Sequence, residues 1–197
     1  MSELHWRLLI IAIMSVACTI YWRLKWQSVC DQVFTRDWFK QAMEQLPSAI
    51  SFIAIFQVLC GAQILPMSLS PTYDTVVRSF GIFCGVYAAV FMVWPHIVRR
   101  TTWAGPKTPS EKIPGHFLCT GGPYRYLRHP YYSSVVIGIS GVELVMASWL
   151  FFLAFAVSLF FASTTAQTEE RLLEEDYGDK YRTYCLFTRW RLIPFIY

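Results

Sequence analysis

The chain has 197 residues, of which 55% are hydrophobic and 15% are charged, and its formal net charge is +4. A soluble domain usually carries about 25% charged residues, so this composition argues against one and indicates an integral membrane protein. A basic run interleaved with exposed aromatic residues is typical of a nucleic-acid-binding surface. The basic residues of this chain form no such run. We therefore expect no nucleic-acid partner.

Hydrophobic segments follow one another along most of the chain. Residues 5–22, 46–73 and 76–98 each reach or approach the roughly 20 residues that an α-helix needs to cross a bilayer. Residues 133–166 form a longer apolar block, which suits two helices folded back on each other with a tip at Ala147, Ser148 and Trp149. Continuous apolar runs favour helices over a β-barrel. The predicted fold is therefore an all-α integral membrane protein with about five transmembrane helices, the last two forming a hairpin.

Polar segments separate these spans. Residues 31–45 have a spacing of apolar residues that fits an interfacial helix joining the first two spans, and an irregular loop fits them equally well. Pro95 is expected to kink or end the third span, and the Pro-rich residues 101–115 indicate a loop. The six cysteines show no CxxC spacing, so we expect no metal site.

The distribution of Lys and Arg predicts the orientation. With five spans, 15 of the 17 Lys and Arg residues fall in three regions on one side of the membrane, and only Arg7 and Arg78 fall on the other. The positive-inside rule places the basic side in the cytoplasm, with the N-terminus outside and the C-terminus inside. An even number of spans would divide the basic regions between the two sides, so the charge bias supports five.

Polar residues flank the predicted hairpin at both of its open ends. Arg128 and His129 precede the fourth span, and Glu169 and Glu170 follow the fifth, which we expect to continue as a cytoplasmic helix until Gly178. A hairpin brings its two open ends to the same membrane surface, so these groups should meet there. Their mixed charge suits a polar cofactor, while the neighbouring helices leave an apolar substrate a route from the lipid.

Each of these residues taken alone has a common structural explanation. An Arg at the end of a span is often a snorkelling anchor, Tyr residues there often form an aromatic belt, and a run of Glu is often a solvated helix face. The order and spacing of the whole set are what favour a functional site.

Two stretches of the C-terminal half carry a family pattern. The first contains Gly115, His116, Leu118, Gly122, Tyr124, Arg128, His129, Pro130 and Tyr132. The second contains Glu169, Glu170, Leu173, Tyr177, Gly178, Tyr181, Tyr184, Arg191 and Pro194. Over residues 95–197 this combination resembles the isoprenylcysteine carboxyl methyltransferase family, within a wider group of membrane methyltransferases that includes the phospholipid N-methyltransferases. Residues 1–94 match only in hydrophobic layout, so we divide the chain into N-terminal transmembrane helices with their loops, residues 1–94, and a methyltransferase core with a cofactor pocket, residues 95–197.

The resemblance implies S-adenosylmethionine as the cofactor, bound in a cytoplasm-facing pocket that the C-terminal helix and tail close. The residues that it assigns to cofactor binding are His116, Leu118, Gly122, Tyr124, His129, Pro130, Tyr132, Glu169 and Glu170. The candidate catalytic residues are Arg128, Glu170 and Arg191, since a guanidinium matches the shape of a substrate carboxylate. The implied reaction is methyl transfer at the membrane to a lipophilic acceptor, chiefly the carboxylate of an isoprenylcysteine-type substrate, with membrane lipid as a further partner.

Three other functions stay open on the sequence. The acceptor could be a phospholipid amine or a small thiol. Membrane sterol reductases share a related C-terminal half and use NADPH, although they carry an Arg-His-x-Asn-Tyr stretch where this chain has Pro130, Tyr131 and Tyr132 after His129. A non-enzymatic membrane scaffold or transporter subunit is the third, although a transporter usually has several ionisable groups at mid-membrane and Glu143 alone qualifies here.

Overall fold

A computed structural model describes residues 3–29, 60, 64–102 and 118–196 of the chain. Within these residues the helices are α1 (Glu3–Val29), α2 (Pro71–Thr102), α3 (Pro130–Val145), α4 (Leu150–Tyr177) and α5 (Asp179–Phe187), with a 3₁₀ helix, Gly122–Arg125, between α2 and α3. The same residues form no strand and only an isolated bridge between Pro66 and Ser148. The prediction of an all-α fold is confirmed for this part of the chain.

Two of these helices are long and apolar enough to cross a membrane. They are the stretch Pro71–Val98 of α2 and the helix α4, whose most apolar 18-residue windows have mean hydropathies of 1.9 and 1.7. The described apolar stretch of α1, Leu4–Met14, is shorter, and α3 has 16 residues, fewer than the roughly 20 that a crossing requires. Two apolar helices of this length agree with the predicted membrane protein, and the count of five spans stays a prediction.

The start of α2 differs from the sequence-based boundary. Residues 64–70 are irregular and Pro71 begins α2, so residues 71–73 belong to this helix and not to the preceding span, contrary to the prediction. Pro is favoured at a first helical position, where its fixed φ and missing N–H cost nothing. Pro95 lies inside α2 and does not end the helix, which continues to Thr102. Thr101 and Thr102 therefore belong to α2 and not to the predicted loop 101–115. The rest of that loop, the predicted segment 31–45 and, apart from Cys60, the rest of the predicted second span lie outside the described residues.

Helix α3 is buried between α2 and α4. Gly81 of α2 lies so close to α3 that an added Cβ would sit 2.7 Å from the carbonyl oxygen of Gly141. A Cβ added to Gly138 of α3 would likewise sit 2.9 Å from the Cβ of Ala88. Small residues let helix backbones approach closely, which is a common way for helices to associate in lipid. This close approach holds α3 against α2.

The predicted hairpin of α3 and α4 is present, and its tip lies where predicted. The turn between the two helices includes Ala147, which has a positive φ of 49°. The segment before α2 holds this tip, since the Ser148 hydroxyl donates to the Ile64 carbonyl oxygen at 2.6 Å and the Met67 N–H donates to the Ala147 carbonyl oxygen at 2.7 Å. The other end of the hairpin is therefore its open end.

Helix α4 extends well beyond its apolar part and reverses at a glycine. It ends directly before Gly178, whose φ is 52°, so the predicted stop is confirmed. After α5, the irregular residues 188–196, named here the C-terminal arm, return to the open end of the hairpin. Leu192 of the arm is fully buried in a cluster with Val136 of α3 and Ala166 of α4. The arm is thereby packed against both helices of the hairpin.

Candidate functional site

The C-terminal arm is bonded to the residues that precede α3. The Arg128 N–H donates to the Trp190 carbonyl oxygen at 2.9 Å, and the His129 N–H donates to the Arg191 carbonyl oxygen at 3.0 Å. These two backbone bonds place Arg191 beside Arg128 and His129 at the open end of the hairpin.

Glu170 of α4 is the centre of this group. Its carboxylate lies 3.0 Å from Nη1 of Arg128, 3.2 Å from Nε2 of His129 and 2.6 Å from Nη2 of Arg191. Arg191 also donates from Nε at 3.1 Å, so its guanidinium holds both oxygens of the carboxylate. The Glu170 side chain is 12% exposed, and the cationic groups around it favour its ionised form. The predicted meeting of Arg128, His129 and Glu170 is confirmed.

His129 lies between two carboxylates. Its Nδ1 is 3.3 Å from Oε2 of Glu169, and its Nε2 is 3.2 Å from Oε1 of Glu170. An ionised carboxylate only accepts hydrogen bonds, so both ring nitrogens must carry a proton to satisfy both contacts. Burial lowers the pKa of the His129 ring, but the hydrogen bonds and charges of the two glutamates outweigh burial and raise this pKa above its usual value. The two carboxylate contacts therefore favour the protonated, cationic form of the His129 ring over the neutral form that could act as a base.

A cavity of about 460 Å³ opens beside this group. Its described lining residues are Arg128, Gln167, Glu170, Arg171, Glu174, Tyr181, Arg182, Cys185 and Arg191. The volume falls within the range of about 300–1,000 Å³ that is usual for small-molecule sites. The lining carries guanidinium groups and carboxylates, so it suits a ligand with both signs of charge.

Two buried polar atoms of this lining have no hydrogen-bond partner among the described residues. They are Nε of Arg128 and the hydroxyl oxygen of Tyr181. Burial raises the pKa of Tyr181, and the neighbouring charge of Glu170 raises it further, so the hydroxyl stays protonated. Because buried polar groups are nearly always hydrogen-bonded in native proteins, these two atoms point to a ligand or an ordered water at this wall.

Tyr181 and Cys185 line the cavity, although the sequence predicts a role for neither of them. Tyr181 belongs to the family pattern without a predicted role, and Cys185 belongs to no motif. Nη1 of Arg128 donates to Sγ of Cys185 at 3.5 Å. Tyr181 and Cys185 are four residues apart on α5 and therefore lie on one face of the helix. This spacing is the feature of the sequence from which their shared position could have been predicted.

Several residues predicted to bind the cofactor are absent from the described cavity lining. Gly122 has a φ of 58°, and a Cβ added there would sit 2.7 Å from Cγ2 of Val98, so its backbone and packing explain the glycine. The carbonyl oxygen of Tyr124 accepts a hydrogen bond from the Tyr184 hydroxyl at 2.8 Å. This bond joins the 3₁₀ helix to α5.

Other predicted residues surround His129. The Tyr132 ring stacks on the imidazole with ring centroids 5.6 Å apart, and Glu169, whose side chain is 40% exposed, contacts Nδ1 from outside. Pro130 is fully buried as the first residue of α3, and Leu118 is half-buried. The structure thus brings Tyr132 and Glu169 to the Glu170 group, while the binding roles of all these residues stay predictions.

The remaining sequence-based expectations concern His116 and metal binding. His116 lies outside the described residues. Among the residues that the structure does describe, no group of three or more His, Cys, Asp or Glu side chains is placed to hold a metal ion. The expectation of a metal-free site stays a prediction.

The fold and the site define a helical membrane protein with a mixed-charge cavity at the open end of an apolar hairpin. A family model described as phospholipid methyltransferase matches residues 79–180, which is more than half of the chain. The chain belongs to the phospholipid methyltransferase family, and the predicted resemblance to this group of membrane methyltransferases is confirmed. The matched stretch contains Arg128, His129 and Glu170 and ends before Arg191.

A curated relative is similar over part of the chain. The protein-S-isoprenylcysteine O-methyltransferase of Schizosaccharomyces pombe is 34% identical over 76 residues, which are 38% of this chain and 32% of the relative. The chain therefore matches about a third of that relative's length.

Proposed function

We propose that the protein is an S-adenosylmethionine-dependent methyltransferase that acts at the membrane on a lipophilic acceptor, above all the carboxylate of an isoprenylcysteine-type substrate. The observation that carries this proposal is the Glu170 carboxylate, held by Arg128, His129 and Arg191 on the wall of a mixed-charge cavity. The family and the relative named for isoprenylcysteine O-methylation support it.

The charges of the cavity fit the proposed cofactor. S-adenosylmethionine carries a carboxylate together with ammonium and sulfonium groups, so its site needs both signs of charge. The lining offers the guanidinium of Arg171 and the carboxylates of Glu170 and Glu174, and the Tyr181 hydroxyl is a donor that needs a partner. When bound, the cofactor supplies the methyl group. The residues proposed to hold it with this lining are His116, Leu118, Gly122, Tyr124, His129, Pro130, Tyr132, Glu169 and Glu170.

The proposed catalytic residues act mainly by orientation. A substrate carboxylate is ionised at neutral pH, so the attack of its oxygen on a methyl carbon needs no general base. Arg128 is the proposed partner of that carboxylate, because its guanidinium keeps a donor beyond those bonded to Glu170 and Arg189. Arg191 donates hydrogen bonds to both carboxylate oxygens of Glu170 and therefore fixes the position of the Glu170 side chain. Holding the reactants in line and excluding water supply the acceleration.

The protonation of the site favours a carboxylate acceptor over an amine or a thiol. An amine or a thiol must lose a proton on methylation, which requires a base within reach. Both ring nitrogens of His129 face carboxylates, and Glu170 contacts three cationic groups, so neither is a strong base. A phospholipid amine or a small thiol is therefore the second choice within methyl transfer.

We further propose an arrangement of the whole chain in the membrane. It has five spans, with the N-terminus outside and the C-terminus and the cavity in the cytoplasm, and the excess of Lys and Arg on one side supports it. Residues 1–94 form the N-terminal transmembrane part, and residues 95–197 form the methyltransferase core. Helix α2 runs across this boundary, so the two parts share one continuous helix.

Binding calorimetry on the detergent-purified protein tests the cofactor. We expect saturable binding of S-adenosylmethionine, weakened roughly 10- to 100-fold in Glu170→Gln, because a hydrogen bond to a charged group contributes about 1.5–3 kcal/mol. Gln keeps the shape of the side chain and removes its charge. Glu175→Gln is the matched control, since Glu175 is exposed and is absent from the described lining, and its affinity should be unchanged.

Methyl-transfer assays on prenylcysteine, lipid-amine and thiol acceptors then test the substrate. Methylation of the prenylcysteine carboxylate is the expected result. Binding of NADPH in place of S-adenosylmethionine would place the protein with the membrane sterol-type reductases. Binding of neither would leave the family fold without its chemistry, as in a scaffold, and either result contradicts the proposal.

A further inference from the structure

The end of α5 and the C-terminal arm expose large apolar side chains. Leu186 is 73% exposed, Phe187 83%, Phe195 83% and Ile196 77%. The Trp190 ring packs on Phe195 with ring centroids 5.7 Å apart. These five residues are named here the C-terminal patch. Exposed apolar patches of this kind usually mark a surface that contacts a membrane or another protein.

The chain path places this patch at the level where the hairpin meets the membrane surface. Residues 167–177 carry α4 about 16 Å beyond its apolar part, at 1.5 Å per residue. The chain then turns at Gly178, and Arg182 bonds back to Glu174 of α4 at 2.7 Å, so α5 lies alongside the protruding end of α4. The arm that follows is bonded to Arg128 and His129, directly before the first residue of α3. The chain therefore returns to the membrane surface, and the C-terminal patch lies there.

Contacts with α2 also place the C-terminal patch at the level of the membrane surface. Gly122 packs against Val98, the residue at which the apolar stretch of α2 ends. The 3₁₀ helix that begins at Gly122 is bonded to α5 through the Tyr184 hydroxyl and the Tyr124 carbonyl oxygen. The end of α5 is thus tied to the position where α2 leaves its apolar stretch.

Two exposed cations lie beside the patch. Arg189 lies in the arm, and the hydroxyl of the preceding Thr188 bonds to the Arg125 carbonyl oxygen at 3.5 Å, which brings Arg125 close. Neither guanidinium forms an ion pair with a described residue. Apolar side chains next to Arg are typical of segments that lie in the interface of a membrane containing anionic lipid.

We propose that the C-terminal patch lies in the headgroup and acyl boundary of the membrane that α4 crosses, with Arg125 and Arg189 bound to anionic phospholipid headgroups. The patch and the cavity lie on the same C-terminal segment, since Tyr181 and Cys185 line the cavity. Docking of this segment on lipid holds that wall of the cavity at the membrane surface.

Site-specific photocrosslinking of the full chain tests this proposal. The photoreactive amino acid benzoylphenylalanine replaces Phe187 or Phe195 in separate variants, and the protein is reconstituted in nanodiscs of phosphatidylcholine and phosphatidylglycerol. Leu153, which is 61% exposed on the apolar part of α4, is the lipid-facing reference position, and the exposed Glu175 on its protruding end is the aqueous one. We expect lipid adducts at 187 and 195 as abundant as at 153, with almost none at 175, measured by mass spectrometry.

The charge requirement is tested in the same nanodiscs. Removal of each cation, by Arg125→Gln and Arg189→Gln, should lower the phosphatidylglycerol share of the adducts at position 187 roughly fivefold. Lys180→Gln is the matched control, because Lys180 is exposed at the far end of α5 and its loss should leave that share unchanged.

Two results would overturn the proposal. An absence of lipid adducts at both 187 and 195, with adducts present at 153, would place the patch in water. Crosslinks from 187 and 195 to a second copy of the chain would make this face a contact between copies. Benzoylphenylalanine at Ile196 provides a further position should either phenylalanine variant fail to fold.

Discussion

Glu170 accepts hydrogen bonds from, and forms ion pairs with, side chains that come from two distant parts of the chain. Removing one partner of a buried ion cluster leaves the other charges uncompensated, which costs about 3–5 kcal/mol. Glu170→Ala would therefore test folding as much as function. Glu170→Gln retains one carbonyl oxygen and the side-chain volume, so its effect on binding is easier to assign to charge.

His129 makes the stability of the protein depend on pH. Because its pKa is raised in the folded protein, the charged ring contributes stability that is complete below its unfolded pKa of about 6.5 and is lost as the pH rises through the folded-state pKa. We expect the thermal midpoint of the detergent-solubilised protein to fall as the pH rises from about 6.5 to about 9. Tryptophan fluorescence during heating measures this midpoint.

Two variants control for other titrating groups. His129→Gln should be less stable than the natural sequence at the lower pH and should lose much of the fall, since Gln carries no titrating proton. His5→Gln should keep the fall, because His5 is exposed on α1. Equal pH profiles for the natural sequence and His129→Gln would show that the ring is not charged between its two glutamates.

At the scale of the helices, the contact between α2 and α3 depends on the absence of side chains. A Cβ added at Gly81 would meet the Gly141 carbonyl oxygen and the Val145 backbone nitrogen at 2.7 Å, and neither atom can move without moving α3. Helix propensity favours Ala over Gly by about 0.5–1 kcal/mol, which is smaller than the usual cost of overpacking. The clash should therefore decide the sign.

We expect Gly81→Ala to lower the free energy of unfolding by about 1–3 kcal/mol. Gly121→Ala is the matched control, because nothing lies within 4 Å of its added Cβ and its φ is −91°. Reversible denaturant unfolding in detergent measures both variants. A Gly81→Ala protein as stable as Gly121→Ala would mean that α2 and α3 are less closely packed than described.

At the scale of the whole molecule, the proposed topology depends on where the basic residues lie. We expect the N-terminus outside and the C-terminus in the cytoplasm, because only Arg7 and Arg78 fall outside the three basic regions. In a bacterial host, a fluorescent protein fused after residue 197 should fluoresce, and alkaline phosphatase fused before residue 1 should be active. The exchanged fusions are the controls and should be silent. Activity of one reporter type at both ends would require an even number of spans.

Local patterns in the sequence were sufficient for much of the fold. Apolar runs predict helices because each backbone must satisfy its own hydrogen bonds in lipid, and Gly178 predicts the end of α4 because glycine adopts a positive φ without strain. The predicted start of α2 differs from the observed one because residues 64–73 contain no charged residue that could separate two spans. Only Pro71 marks the start of the helix. The family pattern then indicated which polar residues form a site.

By itself, the sequence determined that this is a helical membrane protein of the phospholipid methyltransferase family, with Arg128, His129 and Glu170 at the open end of one hairpin. These properties follow from neighbours along the chain and from the geometry of a hairpin. Only the tertiary structure decided that backbone bonds dock Arg191 beside His129, and that Tyr181 and Cys185 line the cavity. The contacts of His129 with two carboxylates, which raise its pKa, were likewise visible only there. These features depend on distances between groups far apart in the chain, and electrostatic interactions follow those distances and not the order of residues.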